Sequence, residues 1–124
     1  MNDIVVCGHS QCGAMDALMR SASSPQSTPH LDAWLELAAP VREIVRREYP
    51  FLKTEYERQS AAAEENVLFA LENLRTYPCV QRRLAESSLR LHGWYFKIAT
   101  AELFAFDPSA QQFKPLVKEE PPAR

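Results

Sequence analysis

A short apolar run near the N-terminus constrains the fold more than any other feature of this chain. Residues 4–7 are apolar and largely β-branched, and Gly8 ends the run. Such a run is typical of a strand that is buried on both faces of a parallel sheet. Residues 14–19 are good helix formers without Pro or Gly, so the segment predicts a strand, a tight loop and a helix. We therefore expect an α/β fold in which this strand belongs to a parallel sheet.

Further helices and strands are predicted along the rest of the chain. Apolar residues recur at spacings of three and four in the helical segments, and Pro40 is a candidate kink in the first of them. Aromatic and β-branched residues mark the extended segments, the first two of which predict a β-hairpin. The predicted helices cover residues 31–49, 52–74 and 78–86, and the predicted strands cover residues 89–98, 103–106 and 112–116.

The predicted elements fit a single domain over residues 1–116, followed by a flexible tail over residues 117–124 that contains two prolines. A serine- and proline-rich stretch at residues 21–29 predicts a surface connection. The first strand needs sheet neighbours on both edges, whereas the rest of the chain offers only about three more strands. We therefore expect the chain to correspond to the latter part of a larger α/β domain.

Composition excludes several classes of protein. The 14 Lys and Arg residues are nearly balanced by 16 Asp and Glu residues, and no basic block exceeds two residues, so neither nucleic acid nor an anionic membrane is an expected partner. No apolar run approaches the roughly 18 residues of a membrane span, and the N-terminus lacks a secretory signal, so we expect a cytoplasmic protein. Three cysteines do not suit a disulfide framework, which leaves metal ligation, a reactive thiol or plain burial.

The loop after the first strand holds the residues with the clearest chemistry. His9 and Cys12 lie three residues apart between Gly8 and Gly13. An imidazole and a thiolate across a tight turn can bind one Zn²⁺, and the glycines would let the backbone fold closely around the ion. Cys7 is expected to point to the opposite side of its strand or to lie too early in the turn. A structural loop with a buried cysteine explains the same spacing, so both interpretations stay open.

Two other chemistries fail on spacing. A phosphatase loop of the Cys-x5-Arg type would need arginine at position 13 or 18, where the chain has Gly13 and Leu18. A dithiol redox site would need two cysteines separated by two residues, whereas Cys7 and Cys12 are separated by four. A third hypothesis makes Cys12 a redox-sensitive thiol that the following helix terminus activates.

Three residues elsewhere have structural explanations. His92 is interpreted as a packed sheet histidine and Cys79 as a buried small hydrophobic residue. Trp34 is interpreted as part of the core or of a subunit interface.

Residues 4–15 resemble the second metal-binding segment of the β-class carbonic anhydrases, and residues 65–80 and 91–98 resemble that family's C-terminal helix and strand in the same order. The resemblance implies a partial β-carbonic-anhydrase-like α/β fold, with a parallel-centred sheet, flanking helices and a C-terminal β-hairpin. It also implies assembly as a homo-oligomer of two or more copies. It further implies a zinc-dependent lyase that reversibly hydrates carbon dioxide to bicarbonate. His9 and Cys12 would be zinc ligands, and Gly13 would bind the substrate.

The chain departs from the family pattern in two ways. The family's first block, a Cys-x-Asp-x-Arg segment that supplies a further cysteine ligand and an Asp–Arg pair, does not occur among the 124 residues. Ala101 stands where the family often has a turn glycine. We therefore expect weak zinc binding and no catalytic residue beyond the metal ligands. The alternative hypothesis is a catalytically inactive, truncated paralogue that acts as an oligomerising or interaction subunit.

Overall fold

Five helices and four strands make up the part of the chain that the structure, a computed structural model, describes: residues 1–20 and 28–116. In chain order these elements are β1 (Asp3–His9), α1 (Gly13–Arg20), α2 (Pro29–Glu36), α3 (Ala39–Glu48), α4 (Glu55–Arg75), α5 (Pro78–Ala85), β2 (Arg90–Lys97), β3 (Glu102–Asp107) and β4 (Gln112–Pro115). The predicted connection at residues 21–29 falls largely, and the predicted tail wholly, outside the described residues. Within the described ranges no helix combines the length and the apolar character that crossing a membrane requires.

The four strands form one mixed sheet in the order β1-β2-β3-β4. β1 runs parallel to β2 with Cys7 opposite Trp94 and His9 opposite Phe96, whereas β2, β3 and β4 pair antiparallel. The predicted α/β class, the parallel pair and the C-terminal hairpin are therefore confirmed. The segment predicted as an edge strand is β4, where Pro115 is tolerated at the end of the strand.

The prediction that β1 is buried on both faces is wrong for the described residues. β1 lies at the edge of the described sheet, and its residues alternate between exposed and partly buried side chains. Val5 is 42% exposed. Helix α4 contacts one face of β1 and β2, and the opposite face stays open within the described residues. The β-branched composition therefore identified a strand but not the number of its covered faces.

The helix predicted over residues 31–49 is two helices. α2 ends at Glu36, Leu37 and Ala38 form a turn, and Pro40 lies in the first turn of α3. A proline in a helix interior would lose one backbone hydrogen bond and clash with the preceding turn, whereas the first turn tolerates it. α4 begins at a capping box in which Thr54 and Glu57 each accept a hydrogen bond from the other's backbone. Trp34 is 60% exposed and is not part of the core.

Two glycines set the distance between the sheet and α4. A Cβ atom built on Gly8 would lie 2.9 Å from Val67 Cγ2 and 3.1 Å from the carbonyl oxygen of Ala63. A Cβ atom on Gly93 would lie 3.0 Å from both Leu71 and Val67 side-chain atoms, so Gly93 likewise allows α4 to approach the backbone of the sheet closely. Gly8 therefore serves helix packing, and its role as a glycine is explained without a bound ion.

Replacing Gly8 by Ala should lower the free energy of unfolding by about 1–3 kcal/mol, because the new methyl group overlaps Val67 and backbone atoms of α4. Gly13→Ala is the matched control, since a Cβ at Gly13 meets no atom within 4 Å and its effect should stay within about 0.5 kcal/mol. Urea denaturation of both variants measures the difference. Equal stability of the two variants would contradict this explanation of the packing.

Ala101 in the β2–β3 turn has a φ of 54°, a left-handed conformation that disfavours side chains. We expect Ala101→Gly to raise the free energy of unfolding by about 0.5–1 kcal/mol, because relief of this strain exceeds the added entropy of the unfolded chain. Ala99, in the same turn, does not have a positive φ, so Ala99→Gly should instead lower stability. Thermal denaturation compares the two, and a gain in both variants would rule out strain at position 101.

Candidate metal centre

The turn between β1 and α1 carries both predicted metal ligands, His9 on the open-face groove and Cys12 against the hydrophobic core. β1 ends at His9 and α1 begins at Gly13. The carbonyl of Cys12 accepts the first hydrogen bond of the helix, 3.0 Å from the amide nitrogen of Asp16, so Cys12 occupies the N-cap position. The positive φ in this turn belongs to Gln11, at 54°, and not to a glycine.

The imidazole of His9 is exposed, and one of its nitrogens already has a partner. Its Nδ1 lies 2.8 Å from the carbonyl oxygen of Ser10. A carbonyl oxygen can only accept, so Nδ1 carries the hydrogen and donates it. The neutral ring then presents the lone pair of Nε2, which is the form in which histidine binds metals.

Cys12 is held from two sides. Its side chain is partly buried against the hydrophobic core. Its carbonyl oxygen also accepts a hydrogen bond of 2.8 Å from Nε2 of Gln59 on α4. Sequence reasoning missed Gln59, because 47 residues separate it from Cys12 and no spacing indicates the contact.

Ser10 fixes the same turn to the sheet. It is 1% exposed, and its amide nitrogen donates to the carbonyl of Phe96 at 2.9 Å. Its Oγ accepts a hydrogen bond of 2.8 Å from the amide of Ile98, just beyond β2. The turn that carries His9 therefore continues the β1–β2 ladder by side-chain and backbone bonds. Sequence reasoning missed Ser10 too, since a buried serine has no distinguishing pattern.

Other candidate ligands lie apart from this turn or differ from their predicted setting. Cys7 lines the same groove as His9, so the first of its two predicted placements, on the opposite side of the strand, is wrong: residues two apart in a strand share a face. Burial raises the pKa of the Cys7 thiol. Cys79 is exposed on α5, not buried as predicted, because it lies on the outer side of that helix. Among the described residues no group of three or more His, Cys, Asp or Glu side chains could hold a metal ion.

His92 serves the other end of the β1–β2 pair. It is not packed as predicted but is partly exposed, with Nε2 2.8 Å from Oδ1 of Asp3. Arg90 binds the same carboxylate through Nε at 2.8 Å and through a second nitrogen at 3.1 Å. The hydrogen bonds of the Asp3 carboxylate with Arg90 and, to a smaller extent, with His92 lower the pKa of Asp3 to about 2. The three side chains join the starts of β1 and β2, so His92 has a structural role.

The open face of the sheet forms an apolar groove beside His9. The groove has a volume of about 560 Å³. It is lined by Cys7, Gly8, His9, Trp94, Phe96, Ile98 and Leu103. His9 is the group with an ionisable nitrogen in this lining, so a small apolar molecule in the groove would lie against an imidazole.

Comparison with known proteins now gives the family. A family model described as carbonic anhydrase matches residues 1–103. The chain belongs to the β-carbonic anhydrase family. A carbonic anhydrase from Synechocystis sp. is 38% identical over 113 residues, which cover 91% of this chain and 41% of the relative. The β-carbonic anhydrase CcaA has a solved structure that matches with a TM-score of 0.88 at 36% identity, covering 94% of this chain and 56% of that one.

Another similar structure comes from a pair of tetrameric β-carbonic anhydrases of Sordaria macrospora, with a TM-score of 0.74 and 30% identity over 85% of this family member. The match covers 52% of the fungal chain. This β-carbonic anhydrase family member therefore spans about half the length of the relatives that it matches.

Removing the Ser10 hydroxyl should lower the free energy of unfolding by about 1–3 kcal/mol, since Ser10→Ala leaves the Ile98 amide without its acceptor. Ser60→Ala is the control: its Oγ is also buried but has no hydrogen-bond partner in the described structure, so stability should stay constant or rise. Chemical denaturation of the metal-free protein compares the two. A larger loss for Ser60→Ala than for Ser10→Ala would show that the turn does not depend on this bond.

Proposed function

We propose that this chain contributes His9 and Cys12 to a zinc site that reversibly hydrates carbon dioxide to bicarbonate. The observation that carries the proposal is the tautomer of His9, which the Ser10 carbonyl fixes so that Nε2 is left to bind a metal. Membership of the β-carbonic anhydrase family supports the reaction. Residues 1–116 would act as one domain in this role.

The donor set of the turn fits zinc. A histidine nitrogen and a cysteine sulfur are both common zinc ligands, and the turn offers one of each within four residues. Ser10 and Gln59 hold the backbone around them, as outer partners of metal ligands commonly do. Zinc, when bound, supplies hydroxide at neutral pH because it lowers the pKa of water from 15.7 to roughly 7.

The chain's own residues would perform three tasks. His9 and Cys12 hold the ion, and the Ser10 carbonyl keeps the imidazole oriented. The groove that Trp94 and Phe96 line would hold an apolar substrate beside His9. Gly13, without a side chain and with open space beside it, leaves room for the substrate at the helix terminus.

The described residues supply two ligands, whereas a catalytic zinc usually takes three from protein. The remaining ligand would come from residues outside 1–20 and 28–116 or from another polypeptide. Zinc binding by this chain alone should therefore be weaker than binding by a three-ligand site.

Metal titration tests the site directly. Co²⁺ added to the metal-free chain should produce a thiolate charge-transfer absorption, because Co²⁺ substitutes for zinc and binds Cys12. Cys12→Ser should abolish the absorption, and His9→Ala should weaken binding about tenfold or more. The exposed Cys79 provides the matched control, since Cys79→Ser should bind Co²⁺ as the unaltered chain does.

Stopped-flow measurement of carbon dioxide hydration then tests the reaction on the zinc-loaded protein. We expect activity to fall with Cys12→Ser and to survive Cys79→Ser. Binding and activity that are indifferent to both His9→Ala and Cys12→Ser would refute the proposed function.

The open sheet face favours a second candidate function, that of a subunit in an assembly. Phe96 is 36% exposed and Ile98 is 49% exposed on this face, beside the partly exposed Trp94. An apolar surface of this kind commonly marks an interface, and a related structure is described as tetrameric. A chain that assembles into defined oligomers, binds no Co²⁺ and shows no hydration would establish this function instead of the enzymatic one.

A further inference from the structure

A second concave site lies on the helix-covered side of the sheet, away from His9. It is a cleft of about 620 Å³ between α4 and strands β2 to β4, and we call it the Tyr95 cleft. Trp94 faces the open side of the sheet, so its neighbour Tyr95 faces the helix side. The wall of the cleft is aromatic and includes Tyr49, Phe51, Tyr56, Phe104, Phe106 and Phe113.

Two buried hydroxyl groups of the cleft complete no hydrogen bond within the described structure. The hydroxyl of Tyr95, a residue that is 4% exposed, faces the hydroxyls of Ser60 and Ser10 without completing a bond to either. The Oγ of Ser60 on α4 is buried and likewise completes no bond there. A buried hydroxyl that stays without a hydrogen bond destabilises a protein by about 1–3 kcal/mol. A polar ligand atom in the cleft would therefore meet hydrogen-bonding capacity that the described residues leave unused.

The charges in the cleft favour a cation. Three carboxylates line it, those of Glu57, Glu64 and Glu65, against the single ammonium group of Lys97. Glu57 is engaged in the cap of α4, and Glu65 accepts a hydrogen bond of 2.7 Å from Tyr49. Glu64 makes no hydrogen bond or ion pair within the described residues, and burial, with the adjacent charge of Glu65, raises its pKa. A ligand cation beside Glu64 would offset both the cost of burying the Glu64 carboxylate and its repulsion by Glu65.

We propose that the Tyr95 cleft binds a small organic amine, with its ammonium group against Glu64 and its apolar body against the aromatic wall. The volume lies in the range of small-molecule sites, and aromatic faces attract cations. A bare metal ion does not suit this lining, because it would need oxygen ligands on most sides. Tyr95 and Ser60 line the same cleft as Glu64, so their hydroxyl oxygens would be further hydrogen-bond acceptors for the ammonium group.

Calorimetric titration with three probes of one shape tests the proposal on the full, metal-free chain. The probes are benzylamine, benzyl alcohol and benzoate, which carry a cation, a neutral hydroxyl and an anion on the same ring. Benzylamine should bind at least about tenfold more tightly than benzyl alcohol, and benzoate should bind least. Equal affinity for the three probes, tighter binding of benzoate, or no binding of benzylamine would overturn the proposal.

Variants locate the binding. Glu64→Gln should weaken benzylamine about tenfold, and Tyr95→Phe at least about threefold. Glu86→Gln is the matched control, because Glu86 is exposed, does not line the cleft and should leave the affinity unchanged.

Thermal denaturation distinguishes a ligand role from a structural one. Without amine, Tyr95→Phe should melt at the same or a higher temperature, since it removes a hydroxyl that has no partner in the described structure. Benzylamine affinity that is indifferent to both Glu64→Gln and Tyr95→Phe would refute the cleft as the site. The test is independent of the metal centre, because Cys12→Ser should bind benzylamine normally.

Discussion

The close contact of two strands with one helix determines most of this structure. Gly8 in β1 and Gly93 in β2, which the register offsets by two residues, both face Val67 on α4, where neither position has room for a methyl group. Because Gly8 immediately precedes His9, this close contact also sets the position of the end of β1 relative to α4. It also brings Gln59, about two turns before Val67 on α4, within 2.8 Å of the Cys12 carbonyl. The turn that carries His9 and Cys12 is thus positioned by apolar packing and only then by hydrogen bonds.

Local signals predicted the elements of this fold well. The apolar run at residues 4–7, the spacing of apolar residues in α4 and the aromatic strands of the hairpin each carry their own periodicity, which requires no knowledge of the neighbours. Errors occurred where a neighbour decides the outcome. Valine is usually buried, yet the exposure of Val5 depends on which layers cover the open face of the sheet. Cysteine is also usually buried, but Cys79 lies on the outer side of α5. Pro40 was correctly singled out, but whether it kinks a helix or starts one depends on the turn before it.

The sequence likewise predicted some residues of the candidate metal centre and not others. His9 and Cys12 could be found from sequence because a single turn holds both, so their spacing alone carries the information. The groups that orient them could not be found, since Ser10 acts through a strand 88 residues away and Gln59 through a helix. Family resemblance supplied the reaction, whereas the geometry supplied the tautomer of His9, which neither composition nor spacing specifies. Each source therefore answers a different question about the site.

The two faces of the sheet carry different polar groups, so they suit different ligands. On the open face His9 offers a lone pair to an electron-poor partner within an apolar groove, which suits a metal ion and a non-polar substrate. On the helix side Glu64 and two buried hydroxyls line an aromatic cleft, which suits a cation that carries its own hydrogens. Alternation along β2 keeps these environments apart, because Trp94 and Tyr95 are adjacent in sequence yet face opposite sides. A ligand in the cleft would affect the candidate metal centre through Ser10, because the Ser10 hydroxyl faces that of Tyr95 and also accepts the hydrogen bond of the Ile98 amide just beyond β2.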